Sequence, residues 1–430
     1  MDRLAPEIIS NIISHLVPYE YFSPAKFYDE TRPPIRCLAH LAALCRHWQP
    51  LIEEASFREL KLTSESVSYA IENGILTPRR LSYIRRLDYS FPSPDEASPP
   101  TVSPETDSGF LPLLQLLAQI PLQEEPLVEL LVTIPSAFLR GPKYLSKLED
   151  HVQDNFESIN TCLPEVPMIR HLFFSDGFDR FFYSPRSICL IAGTMSRLRS
   201  LALSLTSGRR SNDSVNERND LGRSLHGLPS SIHQFDLDYS VRPSLPKDAL
   251  APVGAEEDIL SRELYRFSQR EGLKDFSFEG SIEPTIFWPS ESDTAEDPYW
   301  PSLKAFVLTP HDISPSGRRL LVHKPWRSAD NATDWRRMYP VDDVVNEYFV
   351  AAARCVSRMP KAEYLSIELK DSWYTNLVFC TGYPDDPEEP ILRLSGGGGP
   401  KIFEETEQEW RKTVGIHNLE FSMEVDEEQS

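Results

Sequence analysis

The sequence of 430 residues lacks the usual features of secreted and membrane-spanning proteins. Its six cysteines stand singly, mostly inside apolar segments, which fits reduced, buried thiols better than a disulfide framework. No run of eighteen apolar residues occurs, so no transmembrane helix is expected, and the start at Met1-Asp2-Arg3 does not resemble a signal peptide. We therefore expect a cytoplasmic or nuclear protein in which the sequon at Asn331 is unused.

Basic residues are in the minority. The chain has 44 lysines and arginines against 65 aspartates and glutamates, a formal net charge of −21. Nucleic acids and anionic membranes are themselves polyanions, so this charge argues against both as partners. It permits a basic or neutral protein partner.

Signatures of catalysis and metal binding are also missing. The chain contains neither a Gly-x-Ser-x-Gly elbow nor a His-Glu-x-x-His pair, and the glycines at 396–399 are not followed by the Lys-Ser/Thr of a P-loop. Cys37, His40, Cys45 and His47 lie close in sequence. On one helix, positions 37, 40, 44 and 47 share a face, but Cys45 points about 100° away from Leu44. On an unbroken helix these four side chains therefore do not have the geometry of a metal site. We predict a non-enzymatic protein without a metal or a cofactor.

The N-terminal stretch, in contrast, has a clear helical pattern. Pro6 suits a first helical turn, and apolar residues follow on one side of the predicted helix at Ile8, Ile9, Ile12, Ile13 and Leu16. A second apolar helix is predicted from Leu38, Leu41, Leu44, Cys45 and Trp48, and Pro50 ends it. A third short helix is predicted to carry Leu51, Ile52 and Phe57.

This arrangement resembles an F-box, on the residues Leu4-x-Pro6-Glu7-Ile8, Leu44-Cys45-Arg46-His47-Trp48 and Phe57-Arg58-Glu59-Leu60. The resemblance covers residues 1–62 and implies docking on a Skp1-like adaptor, and through it on a cullin–RING ubiquitin ligase. The residues that it assigns to Skp1 binding are Leu4, Pro6, Ile8, Ile9, Ile12, Leu16, Leu44, Cys45 and Trp48. Residues 17–34 form a longer connection than the family usually has, and we interpret them as a surface insertion.

An ordinary helical core is the alternative to a docking module for these residues. About sixty residues, set off by a linker, cannot easily bury three apolar helices without a partner. That argument favours docking.

The rest of the chain, residues 63–430, repeats one pattern of three apolar positions spaced i, i+3 and i+5. It occurs first at Ile84, Leu87 and Tyr89 and then, counting first positions, at Leu127, Ile169, Leu198, Ile232, Leu273, Leu303, Ala362 and Ile416. Helical stretches precede many copies, as at 113–118, 144–159, 188–195, 256–269 and 344–359. A helix feeding a short strand many times over is typical of an α/β solenoid.

The copies resemble degenerate leucine-rich repeats with long connections, as found behind F-boxes in fungal-type proteins. The predicted fold class is therefore α/β, a small all-helical N-terminal module followed by an irregular leucine-rich-repeat-like solenoid. A plain α/β domain is the alternative. We also predict a linker at 90–109, a long connection at 309–340, a hairpin from 373–380 and 391–394, a helix at 403–413, and a disordered acidic tail at 424–430.

If the three apolar positions point inward, the alternate positions of each strand form an exposed face. Three such positions in each of nine repeats give 27, and these hold eight acidic residues and one base, Arg86. From the composition of the whole chain, about four acids and about three bases would be expected there. Together with aromatic residues of the 309–340 connection, this face is the predicted client-binding site. The residues assigned to it are Asp236, Asp238, Asp275, Glu279, Trp326, Trp335 and Arg336. A merely solvated acidic face is the alternative.

Two functions follow from the sequence. The first is a substrate-recognition adaptor of a Skp1–cullin–F-box ubiquitin ligase, in which the helices bind Skp1 and the repeats bind a protein client. The second is a non-catalytic interaction scaffold, Skp1-bound or free, that does not direct degradation.

Overall fold

The computed structural model describes residues 8, 11–12, 48–90, 110–133, 163–175, 185–207, 211–241, 258–289, 297–323, 338–369, 375–381, 391–395, 400–417 and 423–425. They form a mixed α/β structure with a large, mostly parallel sheet. Its strands are β1 Glu59–Thr63, β2 Arg86–Ser90, β3 Val128–Thr133, β4 Ile169–Ser175, β5 Ser200–Ser207, β6 Gln234–Val241, β7 Asp275–Gly280, β8 Ala305–Pro310, β11 Tyr364–Leu369, β12 Thr375–Cys380, β13 Ile391–Ser395 and β14 Met423–Val425.

Two further strands, β9 Leu321–His323 and β10 Met338–Pro340, pair with each other in a separate antiparallel sheet. The helices are α1 Trp48–Phe57, α2 Ser64–Glu72, α3 Pro78–Leu81, α4 Phe110–Leu117, α5 Pro185–Gly193, α6 Ser211–Ser224, α7 Ile259–Ser268, α8 Asp342–Ser357 and α9 Glu404–Ile416. Among these helices none is long and apolar enough to cross a membrane.

The strands of the large sheet are neighbours in the order in which they occur along the chain, β1 to β8 and then β11 to β14. All adjacent pairs are parallel except β11/β12 and β12/β13, which are antiparallel. The β12/β13 pair is the hairpin expected from the sequence. Four connections from a helical turn into a strand have the same length, residues 194–199, 228–233, 269–274 and 358–363. The helix-to-strand unit is thus repeated with the same entry into the sheet.

Apolar side chains on successive strands align in register and form two buried columns. One column contains Leu87, Leu130, Leu172, Leu201, Phe235, Phe276, Phe306 and Leu365, and the other contains Tyr89, Val132, Phe174, Leu203, Leu237, Phe278, Leu308 and Ile367. Each of these side chains is at most 2% exposed. The predicted inward direction of these positions is therefore confirmed.

The helices cover the columns from one side. The ring of Phe235 on β6 lies 4.6 Å from that of Phe267 on α7, and the ring of Tyr89 on β2 lies 5.4 Å from that of Phe110 on α4. Local hydrogen bonds fix where the helices begin. Thr63 and Ser66 form a capping box at the start of α2, and Asp258 accepts a hydrogen bond from Ser261 N at the start of α7.

The structure differs from the sequence prediction at both ends of the sheet. β1 crosses the boundary predicted at residue 62, because Glu59–Thr63 pairs in parallel with β2 and so belongs to the sheet. At the other end, β14 contains Glu424 and Val425, which were expected in the disordered tail, since backbone pairing with β13 does not depend on the charge of the side chains. Ile416, the first position of the ninth apolar triplet, instead ends helix α9 and is 51% exposed.

Two further elements were not predicted. Helix α6 has a polar sequence without a clear apolar stripe, and the connection predicted at 309–340 contains both strands of the β9/β10 pair. The other helices predicted after residue 63 are found with small shifts of their ends, except that residues 144–159 lie outside the described residues. Of the first two predicted N-terminal helices, only residues 8, 11, 12 and Trp48 are described. Pro50 does not end a helix as predicted, because it lies in the first turn of α1. Of the predicted linker, only Ser90 is described, as the last residue of β2.

Candidate functional site

Three of the nine predicted Skp1-binding residues, Ile8, Ile12 and Trp48, are among the described residues. Leu4, Pro6, Ile9, Leu16, Leu44 and Cys45 lie outside the described residues. Ile8 and Ile12 are helical, and their side chains are 50% and 37% exposed. These two residues are four apart, so they lie on the same side of a helix. Trp48 is instead buried at the start of α1.

Helix α1 is attached to the sheet domain by a buried carboxylate. Glu53 is 5% exposed and accepts hydrogen bonds from Arg79, Arg80 and Gln49, with an Arg80 Nη2–Glu53 Oε1 distance of 2.9 Å. Burial alone would raise the pKa of Glu53, but the hydrogen bonds from Arg80 and Gln49 and the charge of Arg80 outweigh it and lower the pKa. The guanidinium of Arg80 also lies 5.1 Å from the ring centroid of Phe57. Charge pairing and ring contact therefore both orient α1.

The predicted client-binding face is the side of the sheet opposite the apolar columns, and we call it the polar face. It consists of the positions that alternate with the columns on β1 to β8 and β11. Its acidic residues include Asp88, Glu129 and Glu368 in addition to those assigned to client binding, whereas Glu420 lies outside the described residues. On β1 and β2 the acids have basic neighbours, as shown by the 3.1 Å contact between Arg86 Nε and Asp88 Oδ1.

The structure brings the four predicted client-binding acids together on two adjacent strands. In the register of β6 and β7, Asp238 pairs with Glu279 and Gln234 pairs with Asp275. Ser204 on β5 donates a hydrogen bond to Asp238 Oδ2 at 3.1 Å, and Gln234 Nε2 donates to Asp275 Oδ2 at 3.1 Å. The β6–β7 region is therefore the part of the polar face where carboxylates are most closely spaced.

The carboxyl of Asp236 on β6 has a raised pKa. Its side chain is exposed to solvent, yet burial is the largest influence on its carboxyl and raises its pKa. A hydrogen bond from Ser277 acts in the opposite direction, and the charge of Glu279 raises the pKa further. The surroundings of Asp236 therefore disfavour its charged form although the side chain is exposed.

A row of hydroxyl groups at the carboxyl ends of the strands was not found from the sequence. It is formed in register by Thr63, Ser90, Thr133, Ser175 and Ser204, and the row continues into Asp238. The Ser90 and Thr133 hydroxyl oxygens are 3.1 Å apart, a hydrogen bond between strands. The available signal was a serine or threonine directly after the second column position of successive strands.

The aromatic part of the predicted client site cannot be located, because Trp326, Trp335 and Arg336 lie outside the described residues. Strands β9 and β10 lie on either side of this segment and bring its two ends together.

Potential metal ligands do not cluster among the described residues. These residues contain no group of three or more histidine, cysteine, aspartate or glutamate side chains that could hold a metal ion. Cys189 is a free, buried cysteine, and burial raises the pKa of its thiol to about 12. Glu129, His171 and Ser200 stand next to one another in register, but no hydrogen bond within the described part of the chain joins these side chains.

No protein-family model matches the chain, and no curated protein matches it in sequence. The resemblance to an F-box therefore stays a prediction from the motif residues.

Proposed function

We propose that this protein is a non-catalytic substrate-recognition adaptor of a Skp1–cullin–F-box ubiquitin ligase. The observation that supports docking most directly is the pair of exposed apolar residues Ile8 and Ile12 on a helix that follows the Leu4-x-Pro6 motif. Two exposed isoleucines one helical turn apart form an apolar surface that a partner protein can bury.

The proposal includes a fold assignment for residues 63–430, a degenerate leucine-rich-repeat-like solenoid. Three observations support it: strands adjacent in chain order, two apolar columns in register, and four helix-to-strand connections of equal length. Such an arrangement presents one continuous surface made by neighbouring repeats. In the adaptor, the polar face is the surface that meets the client.

The client that this surface favours has a basic segment. The acids Asp236, Asp238, Asp275 and Glu279 lie on the adjacent strands β6 and β7, with Asp238 and Glu279 directly paired. Such a cluster attracts positive charge and speeds the encounter with it, an effect that salt weakens.

Docking is tested by co-purification of a Skp1-like protein with the full chain. The double variant Leu4→Ala/Pro6→Ala should lose the partner, because truncating an interface anchor costs about 2 kcal/mol or more. The matched control is Leu122→Ala/Tyr299→Ala, which alters side chains that are 71% and 54% exposed in the sheet domain. Undiminished co-purification of the first variant would contradict the F-box assignment.

Client binding is tested by charge reversal on the polar face. The triple variant Asp236→Lys/Asp238→Lys/Asp275→Lys should weaken the client complex and flatten its salt dependence. The control reverses the same number of charges on exposed residues elsewhere, Glu271, Glu404 and Glu405. Equal client binding by the two variants at low and at high salt would leave the acidic cluster as a solvated surface only.

The adaptor and the scaffold differ in the fate of the bound protein. For an adaptor, proteins that co-purify with the full chain should accumulate when the proteasome is inhibited. A set of partners that stays constant under inhibition would favour the scaffold instead.

A further inference from the structure

A line of basic residues runs along the edge of the sheet where the strands begin. Each position directly precedes one row of residues that are paired across the sheet, which runs from Glu59 and Arg86 through Glu129, His171, Ser200, Gln234, Asp275 and Ala305 to Tyr364. From β1 to β8 and β11 the nine positions are Arg58, Arg85, Val128, Arg170, Arg199, His233, Lys274, Lys304 and Glu363. Seven are basic or histidine, where the composition of the chain would place about one. We call these seven residues the basic edge ladder.

Backbone hydrogen bonds make most of the ladder continuous. The amide of each member donates to the carbonyl of the one before it, from His233 to Arg199 at 2.8 Å, from Lys274 to His233 at 2.7 Å and from Lys304 to Lys274 at 2.7 Å. The amide of Arg199 likewise donates to the carbonyl of Arg170 at 2.8 Å. Since adjacent strands are about 4.8 Å apart, the run from Arg170 to Lys304 is about 19 Å long.

The side chains of the ladder reach solvent. Arg170 and Lys274 are exposed, and Arg199, His233 and Lys304 are half-buried. Two members have acidic partners, because Arg199 pairs with Glu125 and Lys304 pairs with Glu363. Acidic side chains thus already lie against the ladder within the protein and show the kind of group that fits it.

The members of the ladder affect one another electrostatically. Burial lowers the pKa of His233 most, and the charges of Lys274 and Arg199 lower it further. Burial likewise lowers the pKa of Arg85, and the charge of Arg58 adds to it. Like charges on adjacent strands destabilise a sheet. At His233 and Arg85, a bound anion would offset the charge of the neighbouring bases.

We propose that the basic edge ladder binds an extended acidic segment of a partner protein. An extended chain of about six residues spans 19 Å, and its alternate side chains would place about three carboxylates against the ladder. Guanidinium and carboxylate groups form paired, charge-assisted hydrogen bonds, so a few such contacts suffice for recognition.

A protein segment fits better than a nucleic acid. With a net charge of −21, the chain as a whole repels a long polyanion. Short-range pairing with a few carboxylates is much less affected, because salt screens interactions beyond about 8–10 Å. This site borders the acidic cluster of the polar face, since Asp275 directly follows Lys274, but it does not rest on the adaptor proposal.

The test is fluorescence anisotropy with the full chain and labelled eight-residue probes. One peptide alternates glutamate with serine, a second has glutamine in place of glutamate, and a third probe is a single-stranded oligonucleotide. We expect binding of the glutamate peptide that weakens with salt, and little binding of the other two probes. Absence of binding of the glutamate peptide at low salt, or tighter binding of the oligonucleotide, would overturn the proposal.

The site is localised with variants of equal charge change. Arg170→Gln/Lys274→Gln/Lys304→Gln should raise Kd for the glutamate peptide about tenfold, since three exposed ion pairs are removed. The control removes three exposed bases outside the ladder, Arg223, Arg411 and Lys412, and should change Kd less than about twofold. Thermal unfolding by circular dichroism checks that both variants are folded. Equal loss in both variants would mean that only overall charge matters and would refute the ladder as a site.

Discussion

On β2, β6 and β7 the two faces of the large sheet carry very different side chains. On β6, Phe235 and Leu237 are buried against the helices, while Asp236 between them is exposed. The columns continue through the reversed strands, since Leu365 pairs with Phe379 and Phe379 with Leu392. Strand direction changes there but the alternation of side chains does not, because a period of two is the same in either direction. The buried face thus tolerates a change of topology that keeps its columns, and the polar face is left to vary in charge.

The largest expected effect of a single change is on the buried face. Phe276→Ala should lower the free energy of unfolding by about 3–5 kcal/mol, because it opens a cavity between the rings of Phe235 and Phe306. Ser277→Ala, the next residue on the polar face, is the control and should lower it by only about 0.5–1 kcal/mol, because it removes the hydrogen bond to Asp236 but opens no cavity. Urea unfolding monitored by circular dichroism measures both. Similar losses for the two variants would contradict the assignment of the faces.

A buried charge on the helix side should rank second. Asp258 is 5% exposed and binds Arg218 through two contacts of 2.7 Å. Asp258→Ala leaves the buried Arg218 uncompensated and removes the cap of α7, so we expect a loss of about 3 kcal/mol. Asp275→Ala on the polar face should cost less than about 0.5 kcal/mol. Equal urea midpoints for the two variants would contradict the view that a charge is buried on the helix side and solvated on the polar face.

The hydroxyl row should contribute less than either. Thr133→Val removes the hydroxyl that pairs with Ser90 but keeps the shape of the side chain and its preference for strands. We expect a loss of about 0.5–1 kcal/mol in urea unfolding. A matched change, Thr375→Val on β12, lies outside the row and serves as the comparison. Loss of more than the Phe276→Ala variant would mean that the row, not the columns, holds the strands together.

The smallest effect concerns pH. Burial raises the pKa of Asp236 in the folded protein, so its charged form is disfavoured on folding. The resulting destabilisation is fully present above the folded-state pKa and disappears as the pH falls below the unfolded value. Asp236→Asn should therefore unfold at a slightly higher temperature near neutral pH and at the same temperature as the unchanged protein in acid.

Asp258 should show the opposite pH dependence. Its pKa is lowered, because although burial raises it, the charge and hydrogen bonds of Arg218 lower it more. Its stabilisation is present above the unfolded-state pKa and is lost as the pH falls through the folded-state pKa. Thermal unfolding of the two variants across this pH range measures both trends. Trends of the same sign would contradict the environments assigned to these two aspartates.

The sequence by itself determined the strands of the buried face and the C-terminal hairpin. Triplets such as Leu273, Phe276 and Phe278 specify a strand and its buried side together, because burial and the period of two act within a few neighbouring residues. It also placed Asp236, Asp238, Asp275 and Glu279 on one exposed face, since alternation requires it.

Only the tertiary structure decided which strands are neighbours and which side chains therefore form clusters. β1 joins the sheet through backbone pairing of Glu59 with Arg86, and Arg199, His233 and Lys274 become adjacent although they are far apart in sequence. Helix α6, with its polar sequence, includes Arg218, whose ion pair with Asp258 is made across a long stretch of chain. Backbone hydrogen bonds and ion pairs of this kind join residues that are far apart in the sequence. No short pattern of residue types therefore predicts them.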